Sequence, residues 1–541
     1  MATTAGERVF LRKASGLIKT ASNTDVFIYD IGLVSIGLGL GFMLLFGPAI
    51  YLGGNLYVGT LLAGAAMILI GLGMICWSIT IPRSGGIYNF GTRSMWPPLA
   101  FTLSFVEVSA WLFYGSFGAW YLTQLAVAPG VTASGILLDN PGIESFGADL
   151  AKPWPTFGIG AGALIIGAII LASGMRRFFF TQKVMFTMAV LGTLVFLGTL
   201  LATSRADFVA AFNNHMGPRL GVGSDAYNGV ISAASKAGWS SPGFDWKQTL
   251  LFSNWAFLPL IGAAFSISIG GEIKQVTKGQ TMGILGAVTG SVVVWIVSFA
   301  LIYRTMGSHF LGAVTYSDCT FVLNCVQGAA TPVTPFPTLL MGIGSGSVAL
   351  TALIALGFIG WIWLWIPTQI LYPTRAIVAW SLDRVAPDAL GKVSDRTHTP
   401  IPAILLSLAG GIGFIAVLSF STYFTFVFFI EVAVLAWAIV LLAGVFFPYR
   451  RKDIYEKSPI APLKIAGVPI MSIACALGCA AAGLYFANLW YDGFAAGHTK
   501  HSLSILIGWF VGGFVIYWVM WAWRRRQGVN VDLAFKEIPI E

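Results

Sequence analysis

Charge is scarce in this chain. Of its 541 residues, 10% are Asp, Glu, Lys or Arg and 57% are hydrophobic, whereas a soluble domain carries roughly a quarter charged residues. That scarcity excludes a soluble globular protein. Histidine and cysteine number five each. No cluster of them has the spacing of a metal site, and no glycine-rich loop has the form that cradles a nucleotide. No cofactor and no metal ion is therefore expected, and the chain is not read as an enzyme. The alternating segments of about ten residues that mark a β-barrel are missing too. So is a cleavable signal peptide: the first apolar run is too long for one and no small-residue cleavage site follows it.

What fills the chain is long apolar runs, many of them reaching the roughly 20 residues that cross a bilayer as a helix. Twelve spans are read, near 27–50, 57–81, 97–127, 157–173, 181–202, 250–272, 281–304, 339–367, 402–420, 422–447, 466–490 and 503–523. The formal net charge of +9 does not mark a nucleic-acid partner, because its distribution is topological. With the N-terminus in the cytoplasm, all but seven of the 31 Lys and Arg residues fall on the inner side. The exceptions are Lys152, Arg205, Arg219, Lys236, Lys247, Arg304 and Lys500. This is the positive-inside bias, and it predicts a multi-pass protein of the cell membrane with both termini cytoplasmic.

Span one contains "SIGLGLGFMLLFGP" at 35–48, with Gly37, Gly39 and Gly41 at alternate positions. Each interior glycine costs a helix about 1 kcal/mol relative to alanine. A close-packing face would repeat small residues every fourth position, not every second. Span six carries Pro259 and Gly262 in mid-membrane, and proline removes a backbone donor and clashes with the preceding turn. Interrupted helices at corresponding places of two halves point to a transporter binding site. The offset of five spans gives the halves opposite topology. The glycines are thus read as letting span one unwind, with close packing as the alternative. Exposed backbone in lipid is tolerated where it lines a wet cavity or holds a ligand. Helix N-termini then meet an anionic group and freed carbonyls meet an ammonium, which suits a zwitterion such as an amino acid.

From Gly262, "GAAFSISIGGEIKQVTKG" resembles the sixth span of amino acid–polyamine–organocation (APC) permeases, in which a glycine precedes by ten residues a glutamate opening an E-[VI]-K-x-P-x-R/K motif. Here that glutamate is Glu272, with Val276 where the family has proline. "IPRSGGIYNFGTRSMWPPLAF" at 81–101, "PTRAIVAWSLDRVAPDALGKVSDRTHTPIPAI" at 373–404 and the tail "FKEIPIE" resemble further family segments, in the family's order. The resemblance implies an all-α membrane fold of about 12 transmembrane helices. It would be an inverted five-plus-five-helix repeat with discontinuous helices 1 and 6, plus two C-terminal helices. The divisions are a tail (1–26), a first five-helix repeat (27–202), an extracellular loop (203–249), a second repeat (250–447), two trailing spans (466–523) and a tail (524–541). It also implies that backbone N–H groups around Gly39, Gly41 and Phe42, with Gly37 extra, bind the substrate carboxylate. Carbonyls near Pro259, Leu260, Ile261 and Gly262 would meet its amino group.

Two carboxylates sit deep in spans, Glu107 and Glu431. An ionisable group in mid-membrane is a functional hypothesis by default, and both are candidates for proton coupling; a protonated, merely packed glutamate is the other reading. Of Trp361, Trp363 and Trp365, alternation on a helix lets at most one or two face substrate, and Trp361 is the candidate. Cys319 and Cys325 share an outer loop and are a candidate disulfide. Sodium-driven relatives hold the ion with hydroxyls in mid-span eight, yet no Ser or Thr occurs between Thr351 and Thr368. Some proton-driven relatives use a lysine in mid-span five, yet nothing basic occurs from 184 to 204. The expectation is a secondary transporter moving an amino acid or related small organic solute by alternating access, with protons as coupling partner. The alternatives are a polyamine or organic-cation permease or exchanger, and a transport-silent ligand sensor of the same fold.

Overall fold

A computed structural model of the protein describes residues 16–321, 324–421, 430–494 and 500–536. Among them are twelve helices long and apolar enough to cross a membrane: Asn23–Ile50, Leu56–Thr80, Pro97–Leu137, Pro153–Ala172, Met175–Ala202, Trp246–Ser268, Val276–Thr305, Val348–Leu382, Ile401–Phe420, Ile430–Arg450, Ile470–Tyr491 and Leu503–Arg526. Helices are the expected answer to such runs, since each backbone polar group must be satisfied within its own segment. The starts are written locally. Ser22 caps span one in a capping box with Asp25, and Asn55 caps span two by accepting from the N–H groups of Tyr57 and Val58, each at 3.0 Å.

Span eight departs from its expected limits of 339–367. Residues Pro337–Ser345 form a separate short helix, which Gly346 ends at φ +61°. The span itself then runs from Val348 to Leu382, through Pro367 and Pro373. Proline is tolerated in a spanning helix when neighbours satisfy the freed backbone groups. The prolines free the carbonyls of Trp363 and Gln369; the threonine after each bonds another carbonyl of the same helix, Thr368 Oγ1 that of Leu364 at 2.6 Å and Thr374 Oγ1 that of Leu371 at 2.6 Å. Span ten is described from Ile430 onward, and 422–429 lie outside the described residues.

The long loops are structured. Pro141–Leu150, Arg205–Met216, Ala226–Lys236 and Ser308–Tyr316 are helices, three of them started by a capping Asn140, Ser204 or Asp225. The 203–249 segment, expected as a plain surface loop, is clasped to the bundle: Trp239 Nε1 donates to the Pro48 carbonyl at 3.2 Å and the Tyr227 hydroxyl to that of Met306 at 2.7 Å. Cys319 and Cys325 are bonded to each other in the loop before span eight. Buried bidentate ion pairs join Arg93 to Asp383 and Arg375 to Glu272. Arg93 also donates to the Ala534 carbonyl at 3.4 Å, holding the last described turn against the bundle.

Candidate functional site

Span one does break, but at Ser35 rather than along its glycines. Ser35 has φ 49° and ψ 77°, the left-handed region, between helices Asn23–Val34 and Ile36–Ile50. Side chains other than glycine enter that region at a cost of order 1–3 kcal/mol, and stay only where surroundings hold them. Here its N–H donates to Ile31 at 3.0 Å and its hydroxyl to the Trp361 carbonyl at 3.0 Å. The helix restarts with Gly39 donating to the Ser35 carbonyl at 2.9 Å. The N–H groups of Ile36, Gly37 and Leu38 therefore precede the first intrahelical acceptor, at the positive end of a helix. The donor set expected around Gly39 to Phe42 moves back: Gly39, Gly41 and Phe42 lie within the restarted helix.

The glycines have another use. A Cβ on Gly37 would stand 2.8 Å from the Phe358 ring; one on Gly39 would overlap Trp295, and one on Gly41 would overlap Phe336. At 100° per residue, positions two apart point to nearly opposite sides and positions four apart to the same side. Gly37 and Gly41 accordingly admit Phe358 and Phe336, whose rings touch at 5.0 Å, and Gly39 admits Trp295 from span seven. Trp295 Nε1 also donates to the Ile36 carbonyl at 2.8 Å. The alternate spacing is two packing faces on one helix.

Span six is regular from Trp246 to Leu260 and tightens to 3₁₀ from Ile261 to Ser268, with Ala264 outside helical geometry (φ −107°, ψ 15°). Pro259 sits in the last regular turn, and Leu260 and Ile261 at the switch. Gly262 is where the two breaks cross: a Cβ there would stand 2.5 Å from the Leu33 carbonyl oxygen and 2.9 Å from the Val34 nitrogen. Only glycine permits that approach.

Beyond the crossing, the Phe265 ring packs on Trp111 (4.4 Å) and Tyr372 (4.8 Å). The Tyr372 hydroxyl donates to Glu107 Oε1 at 2.7 Å and Trp437 Nε1 to the same oxygen at 2.6 Å; Glu107 Oε2 has no hydrogen-bond partner. Glu107 thus joins spans three, eight and ten next to the unwound segment. Glu431, also buried, lies in the first turn of the described part of span ten. Trp361 sets one edge of its ring beside the break, where a Cβ on Gly37 would stand 3.0 Å from its Cδ1, while its Nε1 donates to Thr193 of span five at 2.8 Å and its carbonyl accepts from Ser35. Phe42 belongs to an aromatic plug with Tyr121 (5.0 Å) and Trp255 (6.2 Å), continued by Phe46 stacked on Trp255 at 4.0 Å. On the face where span one begins, a cavity of about 1150 Å³ has Lys19, Arg177, Lys183, Lys274 and Arg396 among its lining.

Two residues escaped the sequence reading. One is Ser35. The other is Asp30, fully buried in the first half of span one. The Ser266 N–H donates to Asp30 Oδ1 at 2.9 Å, and Ser266 Oγ lies 2.8 Å from Asp30 Oδ2. A Cβ on Gly283 of span seven would overlap that oxygen, so the carboxyl occupies a notch cut for it. The available signal was an acid inside the apolar run "FIYDIGLVS".

Twelve apolar helices, two of them interrupted and crossing at their interruptions, define a membrane transporter. The family model for amino acid permeases matches residues 26–521, and the chain belongs to that family, in the APC superfamily. No curated protein matches the chain.

Proposed function

We propose that this permease carries an amino acid, or a related small organic solute, across the cell membrane by alternating access. The supporting observation is the crossing of the two breaks at Leu33–Val34 and Gly262. It sets the N–H groups of Ile36 to Leu38, which precede the first intrahelical acceptor of the restarted helix, within a few residues of the carbonyls at Leu260 and Ile261. The first are suited to a carboxylate and the second to an ammonium group. The two five-helix halves are read as an inverted repeat whose first helices carry the breaks. Coupling to protons belongs to the same reading and needs a buried carboxylate; Glu107 and Glu431 stand in spans, and Asp30 joins them.

One observation favours a cationic solute instead. The buried Glu107 carries an oxygen without a partner beside the unwound segment, where an organic ammonium or a polyamine would pair with it. Uptake into liposomes holding the purified protein decides between the two. A panel of labelled neutral amino acids, basic amino acids and polyamines is expected to show saturable uptake of neutral amino acids. Polyamine uptake that is lost in Glu107→Gln would establish the second reading, and no uptake of any member would refute both.

A further inference from the structure

We propose that Asp30 carries the coupling proton, and that losing it unlatches the unwound part of span six from span one. The inference rests on the transport reading and adds the residue through which protons would act. It follows from counting hydrogens. Ser266 Oγ lies 2.8 Å from Asp30 Oδ2 and 2.9 Å from Gln280 Oε1, and a hydroxyl has one hydrogen to give. The orientation of Gln280 is fixed, because its Nε2 donates to the Ser266 carbonyl at 3.0 Å; turning the amide over would set oxygen against oxygen.

With Asp30 protonated, every group is satisfied. Asp30 donates to Ser266 Oγ, Ser266 donates to Gln280 Oε1, and Asp30 Oδ1 accepts the Ser266 N–H. With Asp30 ionised, Ser266 must turn its hydrogen to the carboxylate. Gln280 Oε1 then faces a lone pair, and a buried charge stands without a cation. An unmet buried polar group is costly and an unpaired buried charge more so.

The charged neighbours are committed elsewhere. Lys183 of span five holds Asp25 at 2.7 Å, and Arg375 of span eight is taken by both oxygens of Glu272. Span seven presents the neutral Gln280. Tyr29, on the same helix as Asp30, faces Ser268 at 3.3 Å. Glu107 differs, since the two donors on its Oε1 suit a carboxylate. In the proposed step Asp30 gives its proton to water that enters as the Ser266 segment withdraws, and the carboxylate is then hydrated rather than buried. The protonated form holds the latch shut and the ionised form favours it open.

Asparagine copies the protonated acid: its Oδ1 accepts the Ser266 N–H and its Nδ2 donates to Ser266 Oγ. Asp30→Asn should therefore fold with unchanged thermal stability. The infrared C=O band of a protonated carboxyl, present in the wild type at neutral pH without any solute, should vanish in the variant. For transport, liposomes are given a mixture of labelled proteinogenic amino acids. With one proton per solute, a gradient of about one pH unit sustains about tenfold accumulation. The variant should fall to equal concentrations while keeping solute exchange across the membrane. An unchanged infrared spectrum, gradient-driven accumulation by Asp30→Asn, or failure of that variant to fold would each overturn the proposal. Absence of uptake and exchange in the wild type would overturn the transport reading instead, leaving the infrared result to judge Asp30 alone.

Discussion

Ser35 shows how one side chain sets the geometry of a span. Its left-handed backbone is held by a single hydroxyl bond to Trp361 and one N–H bond to Ile31. A β-branched residue is a true outlier there. Ser35→Val is expected to straighten span one and abolish solute binding in a protein that remains folded, whereas Ser35→Gly keeps the bend. Binding of the transported solute, followed by its thermal stabilisation of each variant, checks this; stabilisation of Ser35→Val equal to wild type would show that the bend is not needed. The glycines make the opposite prediction. Gly41→Leu drives a side chain into Phe336, so it should lower thermal stability whether or not solute is present. Neither the place of the bend nor what fills the glycine notches was legible in the sequence. A window of hydropathy averages away a lone Ser35 or Asp30 inside an apolar run, and a glycine shows that space is needed without showing what fills it.

Elements carry the next level of constraint, and span six is fixed at its far end by charge. Glu272 receives Arg375 through Nε at 2.7 Å and Nη2 at 2.9 Å, with both side chains about 1% exposed. Its carbonyl also accepts from Thr20 and Ala21 at 2.9 and 3.0 Å, so one residue ties spans one, six and eight together. Removing one partner of a buried pair leaves an uncompensated charge and costs about 3–5 kcal/mol. Glu272→Ala should lose that much in detergent unfolding, and replacing both residues by methionine should recover most of it. A loss under about 1 kcal/mol in the single variant would mean that water already reaches the pair. The Glu272 motif, the count of spans and the interruption of spans one and six were legible, because each leaves a long or regular trace. The ends of span eight were not. Pro367 reads as a terminus in the sequence because proline lacks the backbone donor, yet the helix runs on through Pro367 and Pro373 to Leu382.

At the scale of the whole molecule, the two faces differ in charge, and that difference should set orientation. The positive-inside bias predicts that the loops around Arg176, Lys274, Arg396 and Lys452 face the cytoplasm, together with the basic cavity on that same face. The loop helix Pro141–Leu150 then lies outside. With every span crossing, an odd offset of five sets the two broken helices in opposite directions, so a single measured loop fixes every other. Cysteine labelling can read it. Cys76 and Cys475 are buried, and Cys319 and Cys325 are bonded to each other, so only Cys479 needs replacing, by serine. In that background Ser145→Cys and Glu456→Cys each put a thiol at an exposed position, one on each face. A membrane-impermeant maleimide is expected to label Ser145→Cys in intact cells and Glu456→Cys only after permeabilisation. The reverse pattern would turn the molecule over and put the basic cavity outside the cell. Seven spans separate the two sites, an odd number that puts them on opposite faces, so labelling of both in intact cells would require that one of the helices between Pro153 and Arg450 fail to cross.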